Sequence, residues 1–293
     1  MMYAMTKQSP SNTRHHRDEL FIALQRLLPQ HSLSRLLGRF AESERPWLKD
    51  FLIRQAVAHY GIDLSEARLK STTDYPSFNA FFTRHLDDGA RPIASGEKVF
   101  VSPADGAISQ IGDLSAGNII QAKGFAYSVQ SLLGCDEATA ATFEQGSFAT
   151  IYLSPRDYHR VHMPFDGELK SALYVPGKLF SVNDATASRV DGLFARNERL
   201  SCLFDTSEGL LAVVMVGALF VAGIESVWQK HYRPRAPQAR LFEPKLPLAK
   251  GAEMGAFKFG STVIVVSEKA LRWEEKYGPG SACRMGEALG SFE

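Results

Sequence analysis

The chain has 293 residues, 45% hydrophobic and 22% charged, the ordinary globular range, so a wholly disordered, collagenous or coiled-coil protein is excluded. Thirty-three Lys and Arg against 32 Asp and Glu leave no global field to gather nucleic acid, and none is expected as a partner. Three scattered cysteines, Cys135, Cys202 and Cys283, lack CxxC spacing; they argue against a disulfide framework or a structural zinc site and fit a reducing compartment.

The basic residues are unevenly placed: residues 1–70 hold eleven Lys or Arg against seven Asp or Glu. Residues 7–19 are polar and show no basic-then-apolar signal pattern. Leu20, Ala23, Leu24, Leu27 and Leu28 then fall on one helical face before Pro29 interrupts it. A second stripe, Leu33, Leu36, Leu37 and Phe40, recurs at i, i+3, i+4 and i+7 beside Arg35 and Arg39, and Trp47, Phe51, Leu52 and Val57 make a third. A basic amphipathic helix pair can lie in a membrane interface with its arginines towards anionic headgroups. On periodicity alone, packing against the body of the protein is the commoner use of such stripes.

Beyond about residue 95, short runs rich in Val, Ile and Phe alternate with Gly and Pro, at 98–102, 107–111, 147–153, 210–216 and 262–266, as strands of a compact antiparallel β body do. The uncharged stretch 210–224 is 15 residues long, short of the eighteen or so a membrane span needs, so a soluble or peripheral protein is expected. Residues 180–200 read as a loop with a short helix, and 231–250, with Pro234, Pro237, Pro244 and Pro247, as an extended connection. The fold class expected is α+β: N-terminal amphipathic helices over 1–70, then a mainly antiparallel β body with short helices over 71–293.

Three places could carry chemistry. Ser102-Pro103-Ala104-Asp105-Gly106 is a turn between two strand-like runs, and alone it reads as a β-turn in which Asp105 bonds local backbone and Gly106 takes a positive φ. In 152–164, Ser154-Pro155 with Asp157 three residues on resembles a helix N-cap leading into one short turn that Pro164 limits. On such a turn His159 and His162 share a face; on a strand they oppose each other. With no HExxH and no nearby cysteine, no metal is expected, and proton transfer suits the pair better. Gly260-Ser261 opens a buried-looking strand and lacks the Gly-x-Ser-x-Gly elbow of a serine hydrolase.

Taken with further motifs, these places resemble the phosphatidylserine decarboxylase family from about residue 70 to the C-terminus. The motifs are Phe78-Asn79-Ala80-Phe81-Phe82-Thr83-Arg84, Arg91-Pro92-Ile93, Ser102–Gly106, Tyr158-His159-Arg160-Val161-His162-Met163-Pro164, 176–183, 193–199, 216–218 and Gly260-Ser261-Thr262. Phe259 stands where the family commonly has leucine, a change expected to repack its surroundings only locally.

The resemblance implies a proenzyme that cuts itself between Gly260 and Ser261 into associated chains 1–260 and 261–293. Its cofactor would be a pyruvoyl group made from Ser261, with His162 as the base that activates Ser261 Oγ and Asp105 orienting His162. That group would form a Schiff base with phosphatidylserine and release carbon dioxide to give phosphatidylethanolamine, with His159 as the proton donor. A lipid substrate turns Leu33, Leu36, Leu37, Phe40, Arg35 and Arg39 into expected contacts with an anionic membrane, peripherally on the cytoplasmic face. A homodimer is the default oligomer. The alternatives are a pyruvoyl-dependent decarboxylase of a soluble amino acid, a lipid-binding β scaffold that never matures, and a Ser-His-Asp hydrolase.

Overall fold

The computed structural model describes residues 19, 25, 30–122, 124–218, 223–230, 232, 236–258 and 261–293. The residues of the first apolar stripe (Leu20, Ala23, Leu24, Leu27 and Leu28), Phe259 and Gly260 lie outside the described residues, as does the side chain of Arg35.

The sequence run Ser-Thr-Val-Ile-Val-Val-Ser has no alternation of apolar and polar residues, the pattern of a strand covered on both faces. It forms β13 (Ser261–Ser267), every residue of it buried, near the middle of an eight-stranded sheet. The sheet runs in the order β11 (Gln238–Leu248), β7 (Gly167–Val175), β8 (Arg199–Thr206), β9 (Gly209–Gly217), β13, β5 (Ser147–Leu153), β2 (Gly106–Asp113) and β15 (Ala282–Cys283). All of these pairings are antiparallel.

Because side chains alternate across a strand, Val263 and Val265 enter one core with Ile151, Met215, Phe204 and Phe257. Ile264 and Val266 enter a second core with Phe148, Val214, Phe180 and Phe194. Smaller sheets complete the body: β10 (Ile224–Ser226), β12 (Glu253–Phe257) and β6 (Arg160–His162) form one, and β1 (Val99–Val101), β16 (Ala288–Ser291) and β14 (Arg272–Trp273) another. β3 (Asn118–Ala122) pairs with β4 (Phe125–Ser128). The architecture is the expected α+β one, mostly antiparallel, with short helices at Asp184–Ala187 and Leu193–Arg196 inside the polar stretch 180–200.

Two expectations need correction. Much of 231–250 is not a mere connection: Gln238–Leu248 pairs with β7 as the edge strand of the main sheet, its register shifting between Leu241 and Leu246 around Pro244. Proline, lacking a backbone N–H, is admitted to a sheet at such edges and irregularities. Gly106 does not take a positive φ. It is required by close approach instead, since a Cβ there would lie 2.3 Å from the carbonyl oxygen of Tyr152.

The helical front comprises α1 (Gln30–Ala41) and α2 (Pro46–Tyr60). α2 starts with Pro46, whose missing N–H costs nothing in a first turn, and ends on the left-handed Gly61. It buries Ile53 and Ala56 against Tyr75 and the phenylalanines of α3 (Phe78–Phe82), so this small core spans residues on both sides of position 70. The third sequence stripe is therefore only partly a packing face: Leu52 and Val57 are half-buried, whereas Trp47 is 68% and Phe51 51% exposed. On α1 the second stripe also faces outwards, with Leu36 50% and Phe40 48% exposed, Leu37 exposed and Leu33 half-buried.

Gly106→Ala should push the β2 and β5 backbones apart and lower stability by about 2 kcal/mol, read as a lower urea midpoint with an unchanged slope. A wild-type midpoint would show that the close approach to Tyr152 is unimportant.

Candidate active site

The turn between β1 and β2 is held from several sides. Ser102 Oγ donates to the Ala104 carbonyl at 2.8 Å, the backbone N–H of His162 donates to the Pro103 carbonyl at 2.8 Å, and the Gly286 N–H to the Ser102 carbonyl at 3.0 Å. These bonds fix Asp105, which is buried. Its Oδ1 accepts from the Met285 N–H at 2.8 Å and from Arg91 Nε at 2.9 Å, and its Oδ2 from Arg91 Nη2 at 2.5 Å. Arg91 Nη1 also donates to Glu66 at 2.9 Å. Burial pulls the Arg91 pKa down, but hydrogen bonds and charge from Asp105 and Glu66 outweigh it and hold the pKa above its ordinary value. Asp105 is thus a buried anion neutralised by a forked arginine, and no hydrogen bond joins it to His162.

The expected helical turn before the histidines is absent. The Ser154 N–H and Oγ both donate to Asp157 Oδ2, at 2.6 and 2.7 Å, closing a tight turn at the end of β5, and the chain then runs extended into β6. His159 and His162 therefore do not share a helical face. His162 Nδ1 lies 2.8 Å from the Gly251 carbonyl, which can only accept, so Nδ1 carries the proton and Nε2 keeps a lone pair that takes the Tyr158 hydroxyl at 3.1 Å. Burial lowers the His162 pKa, partly offset by the bond to Gly251, and the ring is neutral at neutral pH. A neutral imidazole with a basic Nε2 can remove a proton from a hydroxyl.

His159 is fully buried and stacks on Phe82 of α3 with ring centroids 4.1 Å apart. Its Nε2 donates to the Ser154 carbonyl at 3.0 Å, which leaves a lone pair on Nδ1, and that atom has no partner among the described residues. Burial first, then the nearby charge of Arg84, pushes its pKa down to about 3 against the pull of the Ser154 bond. As the chain stands, His159 is a proton acceptor.

Ser261 heads β13, paired with Leu153 on one side and Gly217 on the other, and is fully buried with its Oγ unpartnered among the described residues. Leu153 immediately precedes Ser154, the residue that anchors His159, so the strand register brings the serine to the histidine segment. Three residues before Ser261, Lys258 pairs with Glu42 at 2.7 Å and Glu225 at 2.8 Å, tying the end of α1 to the approach to Ser261. Gln25 and Gln30 accept the backbone N–H groups of Ser181 and Leu179, docking the helical front on the body. Between α1 and α2 lies an apolar groove of 450 Å³ lined by Leu37, Phe40, Leu52, Tyr60, Phe78 and Lys258.

The sequence-predicted residues thus fall on three neighbouring elements, linked through backbone bonds and strand pairing. Arg84, Arg91, Tyr158 and the Gly251 carbonyl were missed as site groups. Arg84 carried a signal, an arginine closing a run of three phenylalanines, where a charge in an apolar segment demands a reason.

Comparison with known proteins adds the following. The phosphatidylserine decarboxylase family model matches residues 78–291, and a model described as PSD matches 20–61. The phosphatidylserine decarboxylase proenzyme of Acinetobacter baumannii is 53% identical over 281 residues, covering 96% of this chain and 99% of its own. The proenzyme of Alcanivorax borkumensis is 51% identical over 282 residues, covering 94% and 97%, and that of Azotobacter vinelandii 50% over 281, covering 94% and 98%.

The neutral His159 has a consequence for acid stability. An unfolded imidazole titrates near 6.5 and the folded one near 3, so between these the unfolded chain binds more protons. Stability from this group is complete above about pH 6.5 and falls as the pH is lowered towards 3, by up to about 1.4 kcal/mol per pH unit. Urea midpoints should drop from pH 6.5 to 5 and drop less in His159→Asn; equal slopes in the two proteins would contradict a neutral His159.

Proposed function

The chain belongs to the phosphatidylserine decarboxylase family, and on that premise we propose that it is a self-cleaving proenzyme converting phosphatidylserine to phosphatidylethanolamine. It is a carboxy-lyase. The observation that carries the self-cleavage reading is the placement of Ser261: fully buried, its hydroxyl without a partner among the described residues, at the head of a strand paired on both edges.

His162 Nε2 is the base that takes the Ser261 Oγ proton, once the Tyr158 hydroxyl yields its place. Oγ then attacks the Gly260 carbonyl, the peptide C–N bond breaks, and an ester joins the two residues. Removal of the Ser261 Cα proton expels the Gly260 carboxylate and leaves an enamine, which hydrolyses with loss of ammonia to a ketone. Asp105 acts as a positioning residue through the turn: Arg91 and the Met285 N–H hold it, while the Pro103 carbonyl of the same turn holds the His162 backbone.

The environment of Ser261 fits a pyruvoyl group, since an unpartnered buried hydroxyl can be consumed without breaking a hydrogen bond, and the head of β13 would hold the product between Leu153 and Gly217. When present, the group supplies an electron sink, condensing with the substrate amine and accepting the pair left as carbon dioxide departs. His159 is assigned to the protonation at carbon. Its Nδ1 must first gain a proton, which an arriving anion would favour by offsetting the charge of Arg84.

The two chains, 1–260 and 261–293, would stay together as a heterodimer because β13 keeps seven register pairs with each of β5 and β9. Membrane contact is assigned to the outward side of α1, where Leu36, Leu37, Phe40 and Arg39 are exposed, and Trp47 and Phe51 of α2 add to the exposed apolar set. An interface helix of this kind would hold the enzyme peripherally on the cytoplasmic face of an anionic bilayer.

Intact mass should show two chains for the parent, the shorter lacking its terminal amine, and one uncut chain for Ser261→Ala. Carbon dioxide should come from phosphatidylserine vesicles and not from free serine; the reverse preference favours a soluble amino-acid decarboxylase, and an uncut parent ends the reading. Combining Arg35→Glu, Arg39→Glu, Leu36→Ser and Leu37→Ser should weaken sedimentation with anionic vesicles by about tenfold or more. Unchanged sedimentation would remove α1 from the membrane contact.

A further inference from the structure

Arg84 follows α3 and is 4% exposed. A guanidinium has five N–H donors in a fixed fork. Nη2 donates to the Arg156 carbonyl at 2.9 Å and the Asp157 carbonyl at 3.2 Å, which secures the turn before His159. Among the described residues Nε and Nη1 meet no acceptor and no carboxylate pairs with the group; its Cζ lies over the Phe81 ring, 5.9 Å from the centroid.

The other buried arginines are different. Arg199 uses Nε, Nη1 and Nη2 on backbone carbonyls, and Arg91 uses its donors on Asp105 and Glu66. Two further orphans lie nearby in the chain and the packing: both ends of the Asn79 amide on α3, and Nδ1 of His159, whose ring stacks on Phe82 of the same helix. Native proteins rarely leave a buried cation half-bonded, and such groups are kept where a ligand completes them.

We propose that Arg84 is the substrate's anion anchor, one of its free donors, Nε or Nη1, taking a phosphodiester oxygen of the serine phospholipid beside His159. The inference rests on the decarboxylase reading and deepens it. Two anions are available in the substrate, and the chemistry separates them. An arginine on the carboxylate would stabilise the charge that decarboxylation must disperse, favouring the ground state over the transition state. The phosphodiester keeps its charge throughout, so the same contact there gives binding without opposing the reaction. The free Nε–H and Nη1–H point apart on either side of the occupied Nη2, so each can meet a single oxygen, and the guanidinium keeps its charge at any working pH. Arg84 and His159 are buried in the continuous chain, so the anion would reach them only in the self-cleaved protein.

The test uses the self-cleaved protein, with cleavage of each variant scored by mass. Calorimetric titration compares glycerophosphoethanolamine, which has the phosphodiester and no carboxylate, with free serine, which has the carboxylate and no phosphate. Arg84→Gln should weaken glycerophosphoethanolamine about 10- to 100-fold and leave serine within about twofold, and it should raise KM on phosphatidylserine vesicles more than it lowers kcat. Unchanged glycerophosphoethanolamine affinity, or a loss confined to serine, overturns the proposal. Should Arg84→Gln remain uncut, Arg84→Lys carries the comparison, because it loses the Nε and Nη1 donors at their fixed positions and keeps the charge. There a loss of about threefold or more supports the anchor and parent affinity overturns it. A parent that binds glycerophosphoethanolamine through Arg84 yet releases no carbon dioxide would end the decarboxylase reading and leave the anchor standing.

Discussion

Strand β13 has backbone ladders on both edges and apolar side chains in two cores, and the placement of Ser261 depends on that double enclosure. Its first residue is fixed by Leu153 and Gly217 as firmly as the middle of the strand is fixed by its own neighbours. A hydroxyl at the head of an exposed or edge strand would be solvated and free to turn. Here it is dry and constrained, and the elements that bring up the histidines are continuations of the same ladders: β5 runs on through Ser154 to His159, and β12 leads towards Ser261 while pairing with β6.

The ionisable groups around this strand follow one rule, that burial is tolerated only for neutral or paired species. His159 and His162 are buried as neutral rings, each with one nitrogen fixed by a carbonyl that dictates the tautomer. Asp105 is buried as an anion because Arg91 meets both of its oxygens, and Arg91 is tolerated because Glu66 supplies a second carboxylate. Arg84 departs from the rule: two carbonyls take part of its fork and the Phe81 ring faces its charge, but no carboxylate among the described residues pairs with it.

The strands were legible in the sequence where both faces or one whole face are apolar, as in 147–153, 210–216 and 262–266. Strand β11 was not, because Pro244 and Pro247 mimic a linker when the partner strand that absorbs the irregularity is out of view. The histidine spacing left two geometries open, and what decided between them was Asp157 folding back on Ser154, a local bond that competes with a helical first turn. The third stripe mixes two sides of α2: Trp47 and Phe51 stay exposed, Leu52 and Val57 flank the small core, and it is Ile53 and Ala56 that enter it with α3. The roles of Asp105, His162 and Ser261 came from the family resemblance; spacing alone never joined residues so far apart in the chain. Arg91 was invisible as a site group because its partners lie 14 and 25 residues away.

The central position of β13 would also make the proposed maturation a one-way passage. Its neighbours β5 and β9 both come earlier in the chain, so the serine acquires its surroundings only after both have been made. After the proposed cut, the 33-residue remainder is held by noncovalent contacts alone, and unfolding releases it as a separate molecule. Recovery then becomes a second-order encounter, dependent on concentration, between a sheet missing a middle strand and a peptide too short to build a core of its own. The mature protein would owe its persistence to a slow rate of opening more than to any ability to reassemble.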